Sequence, residues 1–129
     1  MDDSGLIAKA QAVARPRAFS EECSGGSVGA ALLTAGGNVY VGVSIDAACG
    51  IGFCAEHGAI AQMITRGESQ IVRAVAVTHE GKIIPPCGRC RELMHQVNRK
   101  NLKAEILLED GRTVRLEELL PERWQEAWT

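Results

Sequence analysis

Two short stretches carry residue types that do metal chemistry: Cys54-Ala55-Glu56 and, about thirty residues downstream, Pro86-Cys87-Gly88-Arg89-Cys90. Three thiols can close on one ion, and a carboxylate stands two residues after the first of them. Zinc takes four tetrahedral ligands from Cys, His or carboxylate, and a catalytic site uses three from the protein and leaves the fourth position to water. Cys87 and Cys90 stand at i and i+3 on the opening turn of a predicted helix, so their sulfurs can converge. Cys54 opens another helix. At helix starts the backbone N–H groups and the macrodipole favour the thiolate, which lowers a thiol pKa from about 8.5 and eases metal binding at neutral pH. Helical side chains lean toward the N-terminus, so Glu56 reaches back over the helix start, beside the open coordination position. A metal-activated water with an adjacent proton carrier is the chemistry this spacing predicts.

Duller readings fit less well. A capping box would need Ser or Thr at position 53, and Phe53 cannot cap. A purely structural zinc site wants a fourth protein ligand. His57, His79 and His95 are the candidates, none has motif spacing to a cysteine, and His57 is expected to face away from Cys54. A redox Cys-x-x-Cys would follow an early strand and need no third cysteine.

A chain of 129 residues is a single-domain length, and 46% hydrophobic residues can build a core without disulfide staples. Aromatic content of 4% leaves that core to Ala, Val, Leu and Ile. A formal charge of -2 provides no basic field for phosphate backbones, which disfavours a nucleic-acid partner. No stretch approaches the roughly 20 apolar residues that span a bilayer, so no membrane partner is expected. The start Met1-Asp2-Asp3 is unlike a signal peptide. The expected compartment is the cytoplasm, where thiols stay reduced and clustered cysteines point to metal or catalysis. Cys23 and Cys49 fall outside the pattern and read as spare thiols.

The elements that must position the site follow from periodicity. Residues 4–14 predict an amphipathic helix capped by Ser4 and ended by Pro16, and residues 17–26, with Cys23, predict a loop. The apolar run 28–33 is a strand buried on both faces. Gly36-Gly37 turns it into a partner over 38–44, with Tyr40, Gly42 and Ser44 on one face, and Asp46 continues that face if the strand extends. Residues 45–53 read as a loop holding Cys49. Residues 54–66 predict a helix whose small residues suit close packing on a sheet, stopped by Gly67. A strand over 71–78 follows, then Pro85-Pro86 and a helix over 87–97 that buries Leu93, Met94 and Val97. Strands over 105–109 and 113–116 flank an Asp110-Gly111 turn, and 116–129 is a short helical finish with Trp124 and Trp128. This order implies a single three-layer α/β/α domain with a mixed sheet of about five strands.

Cys-Ala-Glu followed by Pro-Cys-x-x-Cys resembles the signature of the zinc-dependent deaminases. Within that superfamily the chain is similar to the small tetrameric cytidine deaminases and to blasticidin S deaminase. The further matching residues are Val28-Gly29-Ala30-Ala31-Leu32, Arg91 after Cys90, and Leu119-Leu120-Pro121, so the resemblance spans nearly the whole chain. It implies a cytidine-deaminase-like fold and a zinc ion on Cys54, Cys87 and Cys90. It also implies hydroxide attack at C4 of a cytosine ring, with Glu56 moving the water's proton to N3 and then helping ammonia leave. The implied substrate is a small molecule, cytidine or deoxycytidine, with a nucleoside antibiotic such as blasticidin S as the alternative; the implied assembly is a homotetramer or a dimer. Cytidine deaminases commonly carry arginine after Cys-Ala-Glu; here the residue is His57, and Arg89 or Arg91 is expected to offset the charge of three thiolates. The family reads ribose with an Asn-x-Glu pair, whose positions are taken here by Ser44 and Asp46. Trp124 stands where the family places an aromatic that stacks on the base, often across a subunit boundary. Nucleic-acid editing would use the same chemistry but needs a basic surface, and a non-catalytic zinc scaffold would hold metal without releasing ammonia.

Overall fold

The apolar run at 28–33 is the middle of a long strand, β2 (Cys23–Thr34), on which the rest of the sheet is hung. The computed structural model describes residues 1–128. Before β2 come helix α1 (Asp3–Val13) and a two-residue strand β1 (Arg17–Ala18). After it come β3 (Val39–Ala47), α2 (Ala55–Thr65), β4 (Ile71–Thr78), β5 (Ile83–Ile84), α3 (Gly88–Val97), β6 (Glu105–Leu107), β7 (Thr113–Arg115) and the single turn α4 (Leu116–Leu119). β3 runs antiparallel along one edge of β2, and β4 and β1 share the other edge. β5 and β6 likewise share the free edge of β4, with β6 parallel to it and β7 antiparallel to β6. The sheet is therefore mixed and five strands across, in the order β3-β2-β4-β6-β7.

Alternation along the strands sends side chains to two cores. Ala31, Val75, Val77 and Leu107 meet Leu6 and Ala10 of α1 on one face. Leu32, Tyr40, Ala74 and Ile106 meet Ala59, Ile60 and Met63 of α2 and Met94 of α3 on the other. These are the three layers expected from the sequence. The small residues of α2 matter at one crossing above all. A Cβ added at Gly42 of β3 would come to 2.3 Å from the Ala59 nitrogen and 2.6 Å from the Ala55 carbonyl oxygen, so only glycine lets the start of α2 lie flat on the sheet.

Several local expectations are corrected. Residues 17–26 are not a loop: Arg17 and Ala18 pair with Gly25 and Ser24, and Cys23 begins β2. The signal was hidden because this part of β2 is Gly- and Ser-rich, and its pairing is supplied by long-range neighbours rather than by local propensity. Helix α1 is capped by Asp2, whose Oδ1 accepts from the Gly5 N–H at 2.9 Å, and not by Ser4. Strand β3 runs on to Ala47, which shortens the expected 45–53 loop and carries Asp46 along with Ser44. Two-residue β5 falls in a stretch too short to show periodicity. Strand β6 stops at Leu107, and Asp110, with φ 59°, sits in a tight turn before β7. The helical finish is split by Pro121 into α4 and a 3₁₀ turn at Trp124–Trp128, while Thr129 lies outside the described residues.

Candidate active site

Both metal-chemistry stretches arrive at one end of the sheet, where β3 and β4 finish and α2 and α3 begin. Ligand sites of α/β sheets form at such strand ends. Cys54 is the N-cap of α2 and Cys87 the N-cap of α3, with Cys90 in the first turn of α3. The Cys54 and Cys87 sulfurs are 3.1 Å apart, those of Cys87 and Cys90 are 3.5 Å apart, and all three lie within 4.8 Å of one another. Three sulfurs this close together can share one ion, and among the described residues no histidine or carboxylate joins them as a fourth mutual neighbour. The donor set thus fits zinc with one position left for a small molecule.

The thiols are electrostatically unequal. Burial pushes Cys54 up to about 11, helped by its hydrogen bond with Cys87. Burial and the adjacent Glu56 carboxylate push Cys90 up further still. At Cys87 burial also acts upward, but the Cys54 thiol and the N–H groups of Cys90 and Arg89 at the start of α3 outweigh it, and the net direction is down. Three thiolates this close ionise together only with a cation among them, so metal uptake must release protons.

Glu56 occupies the second helical position of α2, because Cys54 rather than Phe53 is the N-cap. Its side chain is only 4% exposed. Around it are Ala76, Ile84, Pro86 and Met94, and no lysine or arginine among the described residues pairs with it. Burial raises its carboxyl pKa, against a smaller lowering by its own N–H and the Cys90 thiol. A carboxylic acid held above its ordinary range beside a metal site is suited to accept and return a proton near neutral pH.

Above this floor opens a pocket of about 420 Å³ whose lining includes Cys54, Glu56, Cys87, Ser44, Asp46 and Arg89. Val28, Phe53 and Ile84 supply apolar wall. Ser44 is also a structural acceptor: between Gly25 and Gly29 strand β2 carries three residues against the single Ser44 of β3, and the Val28 N–H that this bulge orphans donates to Ser44 Oγ at 3.1 Å. The Ser44 hydroxyl proton stays free to be donated into the pocket. Asp46 is exposed at the rim. Arg89 reaches the Gly52 carbonyl at 3.4 Å and remains at the pocket mouth.

Two of the expected residues do not line this pocket. Arg91 donates from Nε to the Pro86 carbonyl at 2.8 Å and from its terminal nitrogen to the Leu119 carbonyl at 3.0 Å, tying the turn before α3 to α4. Trp124 is 59% exposed, on a 3₁₀ turn held to α3 through Gln125 and Glu92. His57 does not line the pocket either, but it meets one of the metal cysteines. Its Nδ1 lies 3.4 Å from the Cys90 sulfur, and its ring stacks on Phe53 with centroids 6.0 Å apart. Burial, and then the charge of Arg89, lower its pKa. His57 is expected from the sequence to face away from Cys54; the sulfur it meets is that of Cys90, on α3, a contact that spacing along α2 does not encode.

Residues 1–105 match the family model described as the cytidine and deoxycytidylate deaminase zinc-binding region. A cytidine deaminase of Halalkalibacterium halodurans is 34% identical over 97 residues, covering 73% of this chain and 74% of its own. A blasticidin-S deaminase of Bacillus cereus is 36% identical over 76 residues, 52% of this chain and 54% of its own. The crystal structure of the cytidine deaminase from Mycobacterium tuberculosis superposes with a TM-score of 0.79 at 26% identity, over 96% of this chain and 98% of that one. That of Burkholderia pseudomallei does so with a TM-score of 0.77 at 28% identity, over 96% and 100%. Motif, fold and relatives agree, and the chain belongs to the cytidine and deoxycytidylate deaminase family of zinc-dependent hydrolases.

Proposed function

We propose that this protein hydrolyses the exocyclic amine of a cytosine nucleoside, converting cytidine or deoxycytidine to the uracil nucleoside and ammonia. Cys54, Cys87 and Cys90 are the zinc ligands in this reading. Zinc held there supplies a Lewis acid that makes water a nucleophile near neutral pH. Glu56 takes a proton from that water and delivers it to N3 of the ring, so that C4 accepts the oxygen without building negative charge on the ring. The same carboxylate then takes the proton of the hydroxyl added at C4 and passes it to the departing amine, so that the carbonyl forms and the carboxylate is restored as ammonia leaves. The observation that carries this reading is the buried Glu56, without a cationic partner, beside three converged sulfurs at the pocket floor.

Val28, Phe53 and Ile84 offer apolar surface to a planar base. Ser44 donates its hydroxyl proton toward the sugar, and the Asp46 carboxylate accepts from sugar hydroxyls at the rim. Arg89 offsets part of the negative charge of the sulfur cluster. Arg91 contributes through the turn it ties down, by way of its bonds to Pro86 and Leu119. The assembly proposed is a homotetramer in which Trp124 and Trp128, 59% and 81% exposed, are covered by neighbouring subunits, with Trp124 offered to the base of an adjacent site.

A nucleoside antibiotic such as blasticidin S is the second substrate reading. It is favoured by the shorter Ser44 and Asp46 and by the similarity to the Bacillus cereus enzyme. Ammonia release and ultraviolet loss on cytidine, deoxycytidine, cytosine and blasticidin S, with zinc content measured on the same sample, decide between them. Zinc-loaded protein that releases ammonia from none of the four removes the proposal; release from blasticidin S alone replaces the first reading with the second.

A further inference from the structure

The Cys90 sulfur is the least favourably placed of the three. Cys90 is fully buried, whereas Cys54 is partly and Cys87 largely open to water. It also has a carboxylate, Glu56, for a neighbour. The polar side chain outside the cysteine set that can donate to it is His57, through Nδ1 at 3.4 Å. The ring is a poor candidate for a fourth ligand, because its nitrogens do not join the set of mutually neighbouring donor atoms. The ring lies against Phe53 with an interplanar angle of 18°. A thiolate has no proton to give, so when Cys90 is metal-bound only the imidazole with its proton on Nδ1 can make this contact.

We propose that His57 is a positioning residue of the metal centre: its Nδ1–H donates to the Cys90 thiolate and sets both the orientation and the electron donation of that ligand. The consequence runs through the metal site and not through contact with substrate. A hydrogen bond to a thiolate draws charge from sulfur, which weakens its donation to the ion and leaves the ion a stronger Lewis acid. Cys87 is met by N–H groups at the start of α3, and His57 supplies a donor to Cys90 from another helix. The proposal rests on Cys54, Cys87 and Cys90 being the zinc ligands.

Three variants separate the hydrogen bond from packing. His57→Phe keeps the ring stack and removes the donor, His57→Asn places an amide N–H near the Nδ1 position, and His57→Ala removes both. Zinc affinity is measured by competition with a chromophoric chelator, and the cobalt-substituted proteins are compared by their sulfur-to-metal charge-transfer band. With the Cys90 ligand no longer held in orientation, His57→Phe and His57→Ala are expected to lose about 10- to 100-fold in zinc affinity, a loss that outweighs the stronger donation of the freed sulfur. Both should shift the charge-transfer band to longer wavelength, while His57→Asn returns both readouts toward wild type. Wild-type affinity and an unshifted band in His57→Phe overturn the proposal while leaving the zinc site intact, as does a His57→Asn variant that behaves like His57→Phe. Wild-type protein that takes up neither zinc nor cobalt overturns it together with the ligand assignment.

Discussion

Helix α2 has a glutamate near each end, and the two are treated oppositely. Glu68, just past the C-terminal end, accepts from Thr34 Oγ1 at 2.7 Å, Asn38 Nδ2 at 2.9 Å and the Tyr40 hydroxyl at 2.5 Å. The Tyr40 bond first, and then the Thr34 bond, hold its carboxyl below the ordinary carboxylate range. It staples the β2–β3 hairpin to the end of α2. Glu56, in the first turn, is buried with no comparable set of donors, and burial raises its pKa. A carboxylate fully satisfied by the protein has no reason to exchange its proton, and one left short of partners does. The glutamate with the fewer donors is the one that stands beside the three sulfurs, and it is the one proposed to carry protons.

Replacing Glu56 by Gln is the strongest way to test that contrast. Turnover should fall by about 10²- to 10⁴-fold, the range of a positioned acid–base group, with zinc content unchanged. The metal-free Glu56→Gln protein should melt at or above the wild-type temperature, because a buried carboxylate without a partner is exchanged for a neutral amide. A fall in both turnover and melting temperature would make Glu56 a structural residue like Glu68.

Gly42→Ala attacks the support beneath the functional end. Overpacking between β3 and α2 should destabilise by about 1–3 kcal/mol and lower turnover by moving the start of α2. Thermal melts and activity on the same preparation check both. Ser44→Ala should destabilise by about 1 kcal/mol, since the Val28 N–H loses its acceptor. If Ser44 also touches the sugar, KM rises as well; a stability loss without a KM change confines it to the bulge.

Glu68→Gln sharpens the other side of the comparison. Because the folded-state pKa of Glu68 is depressed, its contribution to stability is present at neutral pH and is lost as pH falls below about 4, through the folded value. The melting temperature of Glu68→Gln should therefore lie below wild type at pH 7, and the gap should close in acid. Turnover at pH 7 should stay within about twofold of wild type, since surface networks remote from a site change its chemistry little.

The convergence of the three cysteines was legible because a metal site imposes residue type and spacing that chance seldom supplies together: i and i+3 for Cys87 and Cys90, with a carboxylate two residues after Cys54. Strands at 28–33 and 71–78 and helices at 54–66 and 87–97 were legible for a similar reason, since burial of one face writes its period into the chain. The 17–26 stretch reads as a loop because glycine and serine carry no period, and its strand exists only through pairing with β1 and β3. Asp2 and Ser4 are both good caps, and the choice between them depends on where the first turn closes.

Residue types therefore decided what this chain can do, for thiols and a carboxyl group have their affinities wherever they are placed. Which of them meet was settled by folding. His57 touches Cys90 across thirty-three positions of sequence, Ser44 is committed to a bulge in a neighbouring strand, and Arg91 is spent on two carbonyls instead of the sulfurs. Such contacts act over distances of about 3 Å, and no period or spacing along one strand or helix encodes the packing of two elements that brings their side chains that close.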